Sequence, residues 1–169
     1  ALMDLNFLDV RFTMEFRKID FTENGTDEVE FMISTNPGEP LKPLGKVASG
    51  GELSRIMLAI KTVLAENDHI ETLIFDEIDS GISGEIASQV AKKIANLSKK
   101  YQIICITHLP QVASCGDNFI KVYKTTNNDR TETQINILSE EETLKQIALM
   151  ASGSVTESSL NYEKELRKK

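Results

Sequence analysis

Leu73-Ile74-Phe75-Asp76-Glu77 is a short apolar run that ends in two adjacent carboxylates. A run of this length with polar flanks predicts a buried strand over Thr72 to Asp76. Such a strand holds the residues at its carboxyl end rigidly. Two acidic side chains there suit a magnesium ion, which takes one or two carboxylates and keeps several waters. One of them could also orient and deprotonate a water. A strand that merely runs into an acidic turn would read the same way.

Upstream of it, Ser49-Gly50-Gly51-Glu52 precedes an apolar helix expected from about Glu52 to Ala65. Leu53, Ile56, Met57, Ile60 and Val63 fall on one face of that helix. Glycines at a helix start leave backbone N–H groups open at the positive end of the dipole, and Ser49 adds a hydroxyl, so this is a candidate anion site. Ser49 and Glu52 also satisfy a capping box. Gly45-Lys46-Val47 resembles the end of a phosphate loop. The pattern G-x-x-x-x-G-K-[ST] needs Gly at position 40 and Ser or Thr at 47, whereas the chain has Pro40 and Val47. The sequence contains no such loop elsewhere.

Downstream, Ser83 is expected to open a helix to about Lys99, with Ile86, Val90, Ile94 and Leu97 inward. Ile103 to Thr107 reads as a second buried strand, followed by His108. Strand, helix and strand imply a right-handed parallel crossover. Ligands gather at the carboxyl ends of such strands, where Asp76, Glu77 and His108 lie.

Nearer the N-terminus, Val10, Phe12, Met14 and Phe16 alternate with polar residues, as do Val29, Phe31 and Ile33. With turn residues between Thr22 and Asp27, this predicts an antiparallel hairpin of half-buried strands. Pro37, Gly38, Pro40 and Pro43 argue against regular structure up to about residue 45. Ile120 and Val122, then Ile135 and Ile137, predict two more strands around the turn Thr125 to Arg130. Ser139 with Glu142 is a capping box opening a helix, and a last helix is expected from near Thr156.

The chain has 169 residues, 40% of them hydrophobic, and a net charge of −7. That length fits a single domain with a real core. The acidic balance argues against a broad nucleic-acid surface, and Lys92, Lys93, Lys99 and Lys100 read as a solvated helix face. No stretch approaches a membrane span, and the N-terminus shows no secretory signal. A start at Ala1 fits a fragment or a processed chain. Cys105 and Cys115 suit a reducing cytosol. Cys105, His108 and Cys115 make a poor metal site, because Cys105 sits in a strand and a fourth ligand is lacking.

Three stretches are far more specific together than apart: Ser-Gly-Gly-Glu-Leu-Ser-Arg at 49–55, Leu-Ile-Phe-Asp-Glu-Ile-Asp-Ser-Gly-Ile-Ser-Gly at 73–84, and Ile-Thr-His-Leu-Pro-Gln-Val-Ala at 106–113. From about residue 5 to 165 the chain resembles the C-terminal head lobe of the RecN family. These are SMC-like ATPases of the ABC superfamily associated with repair of DNA double-strand breaks. The resemblance implies an α/β fold, a mixed and mostly parallel sheet flanked by helices, without the P-loop strand. It implies the end of a coiled-coil arm at 1–8, a β-hairpin at 9–35 and a signature helix at 46–66. The core would run over 72–124, and a C-terminal strand and helices over 132–169.

The same resemblance assigns roles. Ser49, Gly50, Gly51 and Glu52 match the signature, which reaches across a head-to-head dimer to the γ-phosphate on the other subunit. Asp76 matches the Walker B magnesium residue, Glu77 the catalytic base and His108 the switch histidine. Asp79, Ser80 and Gly81 match the D-loop, which runs on to Ser83. Glu52 stands where transporters more often carry Gln, and the D-loop lacks their Ser-Ala-Leu-Asp wording; both favour the repair branch. ATP and Mg²⁺ would be the cofactors. Partners would be an N-terminal phosphate-loop lobe, a second head and, through the complete protein, DNA. The implied location is cytoplasmic and nucleoid-associated. The isolated chain is expected to bind ATP poorly. Competing readings are another SMC-like or transporter cassette, or a non-catalytic assembly module.

Overall fold

Alternation near the N-terminus produces a hairpin of β1 (Arg11–Thr22) and β2 (Gly25–Ser34), antiparallel and in register from Arg11↔Ser34 to Lys18↔Asp27. The computed structural model describes residues 5, 7, 9–46, 50–64, 70–127 and 130–167. Of the expected arm end at 1–8, only Leu5 and Phe7 are described, and both are buried. A third short strand, β3 (Lys42–Pro43), pairs with Met32 and Ile33 and runs into one 3-10 turn, Leu44–Lys46. The prolines therefore do not exclude a strand here. Pro43 sits on an edge, where its missing N–H is no loss.

Helix α1 (Gly50–Leu64) leads to β4 (Thr72–Phe75), and α2 (Gly84–Leu97) to β5 (Gln102–Cys105). The two strands are parallel, with Thr72↔Gln102 through Phe75↔Cys105, so α2 is the crossover. Leu73, Phe75, Ile56, Leu58, Val90 and Ile94 form the core here. Ser83 is the residue before α2, as expected, although its side chain makes no capping hydrogen bond.

Three expectations need correcting. First, β4 and β5 are not buried on both faces: Ile74 is 66% exposed and its partner Ile104 47%. Among the described residues β5 pairs with β4 alone. Second, the hairpin's apolar face, with Phe12, Met14, Phe16, Val29 and Phe31, is exposed rather than half-buried; only Met32 to Ser34 reach the core. Third, α1 begins two residues early and turns a different side inward. Its buried residues are Gly51, Arg55, Ile56, Leu58 and Ala59, while Leu53, Met57 and Val63 face solvent. Arg55 sets this orientation because its guanidinium finds buried carbonyl partners, described below.

By its internal contacts the chain divides into two units, residues 1–106 and 107–169. The second contains α3 (Pro110–Ala113), the antiparallel pair β6 (Ile120–Asn127) and β7 (Arg130–Ile137), then α4 (Glu140–Ser152) and α5 (Glu157–Arg167). The short α3 was not anticipated. Helix α4 opens on the expected box: Glu142 N–H donates to Ser139 Oγ at 3.4 Å, and Ser139 N–H to Glu142 Oε2 at 2.8 Å. It closes on Gly153, whose φ of 73° is the left-handed value a C-terminal stop requires.

Glu163 on α5 is fully buried, and neither carboxylate oxygen has a hydrogen-bond partner among the described residues. Arg167 Nε is 3.9 Å away. Burial pushes the Glu163 carboxyl above its ordinary value, with Arg167 and Lys164 pulling the other way. A raised folded pKa favours the protonated acid. Its stabilising contribution is therefore complete below the unfolded value of about 4.3 and lost as pH rises through the folded one. Glu163→Gln should accordingly raise the stability of the chain at pH 8. The gain should shrink towards pH 4, as thermal melts at the two pH values would show.

Candidate functional site

The turn after β4 is built on the first two turns of α1. Ser54 Oγ donates to the Asp76 carbonyl at 2.6 Å. Arg55 Nη1 donates to the carbonyls of Ile78 at 3.2 Å and Ser80 at 2.8 Å. Within the turn, Ser80 N–H donates to the Glu77 carbonyl at 3.0 Å. Ile78 and Asp79 are buried, whereas the side chains of Asp76 and Glu77 are exposed at the strand end. Buried and exposed residues thus divide one short turn between anchoring and presentation.

Glu77 has φ 55°, the left-handed region. A side chain there costs roughly 1–2 kcal/mol, so the surrounding structure must hold it. The glycine pair makes room for it. A Cβ on Gly50 would strike the Glu77 carboxylate, and one on Gly51 would sit 2.7 Å from both the Glu77 carbonyl oxygen and Ser80 Cβ. Close approach of α1 to the acidic turn requires glycine at position 51, where main-chain atoms stand in the way; at position 50 the obstacle is the Glu77 side chain alone.

Four of the expected site residues therefore meet in the first unit: Gly50, Gly51, Glu77 and Ser80, with Asp76 tied in through its carbonyl. Gly81, at φ 73°, and the buried Asp79 continue the same turn. Glu52 lines a pocket of about 190 Å³ with Ser34, Asn36, Lys42 and Lys46, and its charge acts on Arg55. Ser49 lies outside the described residues. His108 belongs to the second unit, where it is exposed on the segment entering α3; next to it, Leu109 N–H donates to Thr107 Oγ1 at 3.1 Å.

Cys105 ends β5 opposite Phe75. Burial first, then Asp79 and Asp76, push its thiol up to about 12. It stays protonated at neutral pH and is a poor metal ligand in that form. Among the described residues, no three of His, Cys, Asp and Glu stand close enough to hold a metal ion. No helix there is long and apolar enough to cross a membrane.

Sequence reasoning missed Ser54 and Arg55. The available signal was Arg55 itself, which shares a helix face with Gly51, Leu58 and Ala59 at the spacing of an inward stripe.

No protein-family model matches the chain. The DNA repair protein RecN of Halalkalibacterium halodurans is 46% identical over 167 residues, covering 97% of this chain and 29% of the relative. RecN of Bacillus subtilis is 47% identical over 89% of this chain and 26% of its own length. RecN of Vibrio cholerae is 49% identical over 84% and 26%. The chain thus spans under a third of the relatives it matches. Among solved structures, the Smc head domain with coiled coil and joint from Pyrococcus yayanosii superposes with a TM-score of 0.58, at 21% identity over 85% of this chain and 26% of that one. The Smc head from Pyrococcus furiosus, bound to a domain of ScpA, gives 0.53 at 21% identity, over 88% and 35%. At that identity the likeness shows the fold. Over the segment it spans, then, the chain belongs to the RecN family of DNA repair proteins and has the fold of one lobe of an Smc-type head.

Proposed function

We propose that this chain is the half of a RecN-type ATPase head that holds magnesium and activates water, acting in DNA double-strand break repair as part of a longer protein. The observation that carries this reading is the acidic turn: Asp76 and Glu77 stand exposed at the end of β4 while the glycine-opened α1 holds the carbonyls of Asp76, Ile78 and Ser80. Asp76 offers the hard carboxylate oxygen that magnesium prefers, with waters and phosphate oxygens left to complete the shell. Magnesium held by Asp76 would supply positive charge to offset what develops on the phosphate. Glu77 orients the attacking water and takes its proton on the carboxylate. His108 donates to the γ-phosphate. Ser49, Gly50, Gly51 and Glu52 present N–H and hydroxyl donors to the nucleotide of a second head, and Asp79, Ser80 and Gly81 couple the two sites.

The main phosphate contacts belong to a lobe that supplies the phosphate loop, since the sequence lacks one. With a net charge of −7, this segment leaves DNA contact to other parts of the protein. Mixing the chain with a separately made phosphate-loop lobe tests the reading. Mg-dependent ATPase activity should appear only in the mixture and vanish with Asp76→Ala. Activity that survives that substitution would remove Asp76 from the site. Calorimetric titration of the chain alone with Mg-ATP should show binding weaker than micromolar.

A further inference from the structure

Arg55 is only 5% exposed, on the inward face of α1 with Gly51, Leu58 and Ala59. Its guanidinium lies over the Phe7 ring at 5.9 Å. Its Nε has no hydrogen-bond partner among the described residues. A buried cation with an orphaned donor is a poor choice for stability alone, because an apolar side chain fills such a face without desolvating a charge. What the guanidinium adds is geometry. Nη1 is shared between two carbonyls two residues apart, Ile78 and Ser80, and the neighbouring Ser54 hydroxyl takes a third, Asp76. Alternate carbonyls of the five-residue turn are thus held by one helix. Between the first two stands Glu77 in its left-handed conformation.

We propose that Arg55, assisted by Ser54, is a positioning residue for ATP hydrolysis: it fixes the main chain of Asp76 to Ser80 and so aims the Glu77 carboxylate. This rests on the reading of Asp76 as the magnesium residue and Glu77 as the base. Arg55 touches neither reacting atom; it acts through the turn. A lysine keeps the charge but brings a flexible point donor in place of a planar fork, and it does not reproduce the grip.

The test uses the complete protein. Arg55→Lys should lower kcat about tenfold or more while KM for Mg-ATP stays within about threefold, the pattern of a misaimed group rather than a lost binding contact. Ser54→Ala should shift kcat the same way by a smaller factor. The decisive readout is non-additivity. In a Glu77→Gln background, adding Arg55→Lys should change the residual rate less than about twofold, since there is no base left to aim. A merely structural role for Arg55 predicts the same fractional loss in both backgrounds, and that result would overturn the proposal. So would Arg55→Lys with kcat within twofold of the parent while Glu77→Gln abolishes hydrolysis. If Glu77→Gln itself leaves hydrolysis intact, the assignment of the base fails, and this proposal with it.

Discussion

Glu77→Gln in the complete protein should lower kcat for ATP hydrolysis by about 10²–10⁴-fold and leave nucleotide binding in place. The substitution keeps size and shape, so the turn has no reason to move. It removes the one property that general-base chemistry needs, an oxygen that can take a proton. The Glu77 side chain is exposed, and its carbonyl is held by Ser80 N–H, so the backbone does not depend on the carboxylate. Single-turnover hydrolysis beside equilibrium nucleotide binding would separate the two effects. Full activity in the variant would move the chemistry elsewhere and favour an assembly module over an enzyme.

Gly51→Ala should damage both stability and turnover, and more severely than Gly50→Ala. At position 51 a methyl group would stand 2.7 Å from the Glu77 carbonyl oxygen and 2.7 Å from Ser80 Cβ, with the Ser80 carbonyl oxygen 3.0 Å away. Two of these are main-chain atoms of a turn already held by Ser54 and Arg55, so relief requires α1 or the turn to shift. Overpacking of that kind costs about 1–3 kcal/mol, which outweighs the gain of up to about 1 kcal/mol from replacing glycine in a helix. At position 50 the obstacle is the Glu77 side chain, which can rotate away. Gly50→Ala should therefore melt near the parent temperature. Thermal unfolding of both variants would rank them, and a Gly51→Ala chain as stable as the parent would show that the approach is looser than described.

Local chemistry was readable in the sequence, and chemistry that depends on a distant neighbour was not. The box at Ser139 and Glu142 spans four residues and formed as expected. The apolar run Leu73 to Phe75 gave a strand with the carboxylates at its end. The inward face of α1 was misjudged because hydropathy counts Arg55 as a surface residue, and only the carbonyls of Ile78 and Ser80, more than twenty positions away, reverse that. The start of α1 was set too late because glycines usually lie outside helices; here both lie inside one, and at Gly51 the turn of Glu77 and Ser80 comes too close for a side chain. Burial of Ile74, Ile106 and the hairpin phenylalanines was overestimated, since alternation shows which face is apolar but not whether anything covers it. In the candidate site, residue types and order along the chain were legible. The positive φ of Glu77 was not, because nothing in a glutamate announces it.

That backbone angle has an evolutionary consequence. Glycine at position 77 would rest easily in the left-handed region but could take no proton, and asparagine would tolerate the turn while carrying an amide. Ease of folding and hydrolytic competence therefore favour different amino acids at one codon. At position 77 glycine should outrank glutamate under selection for thermal endurance, and the order should reverse under selection for hydrolysis by the complete protein.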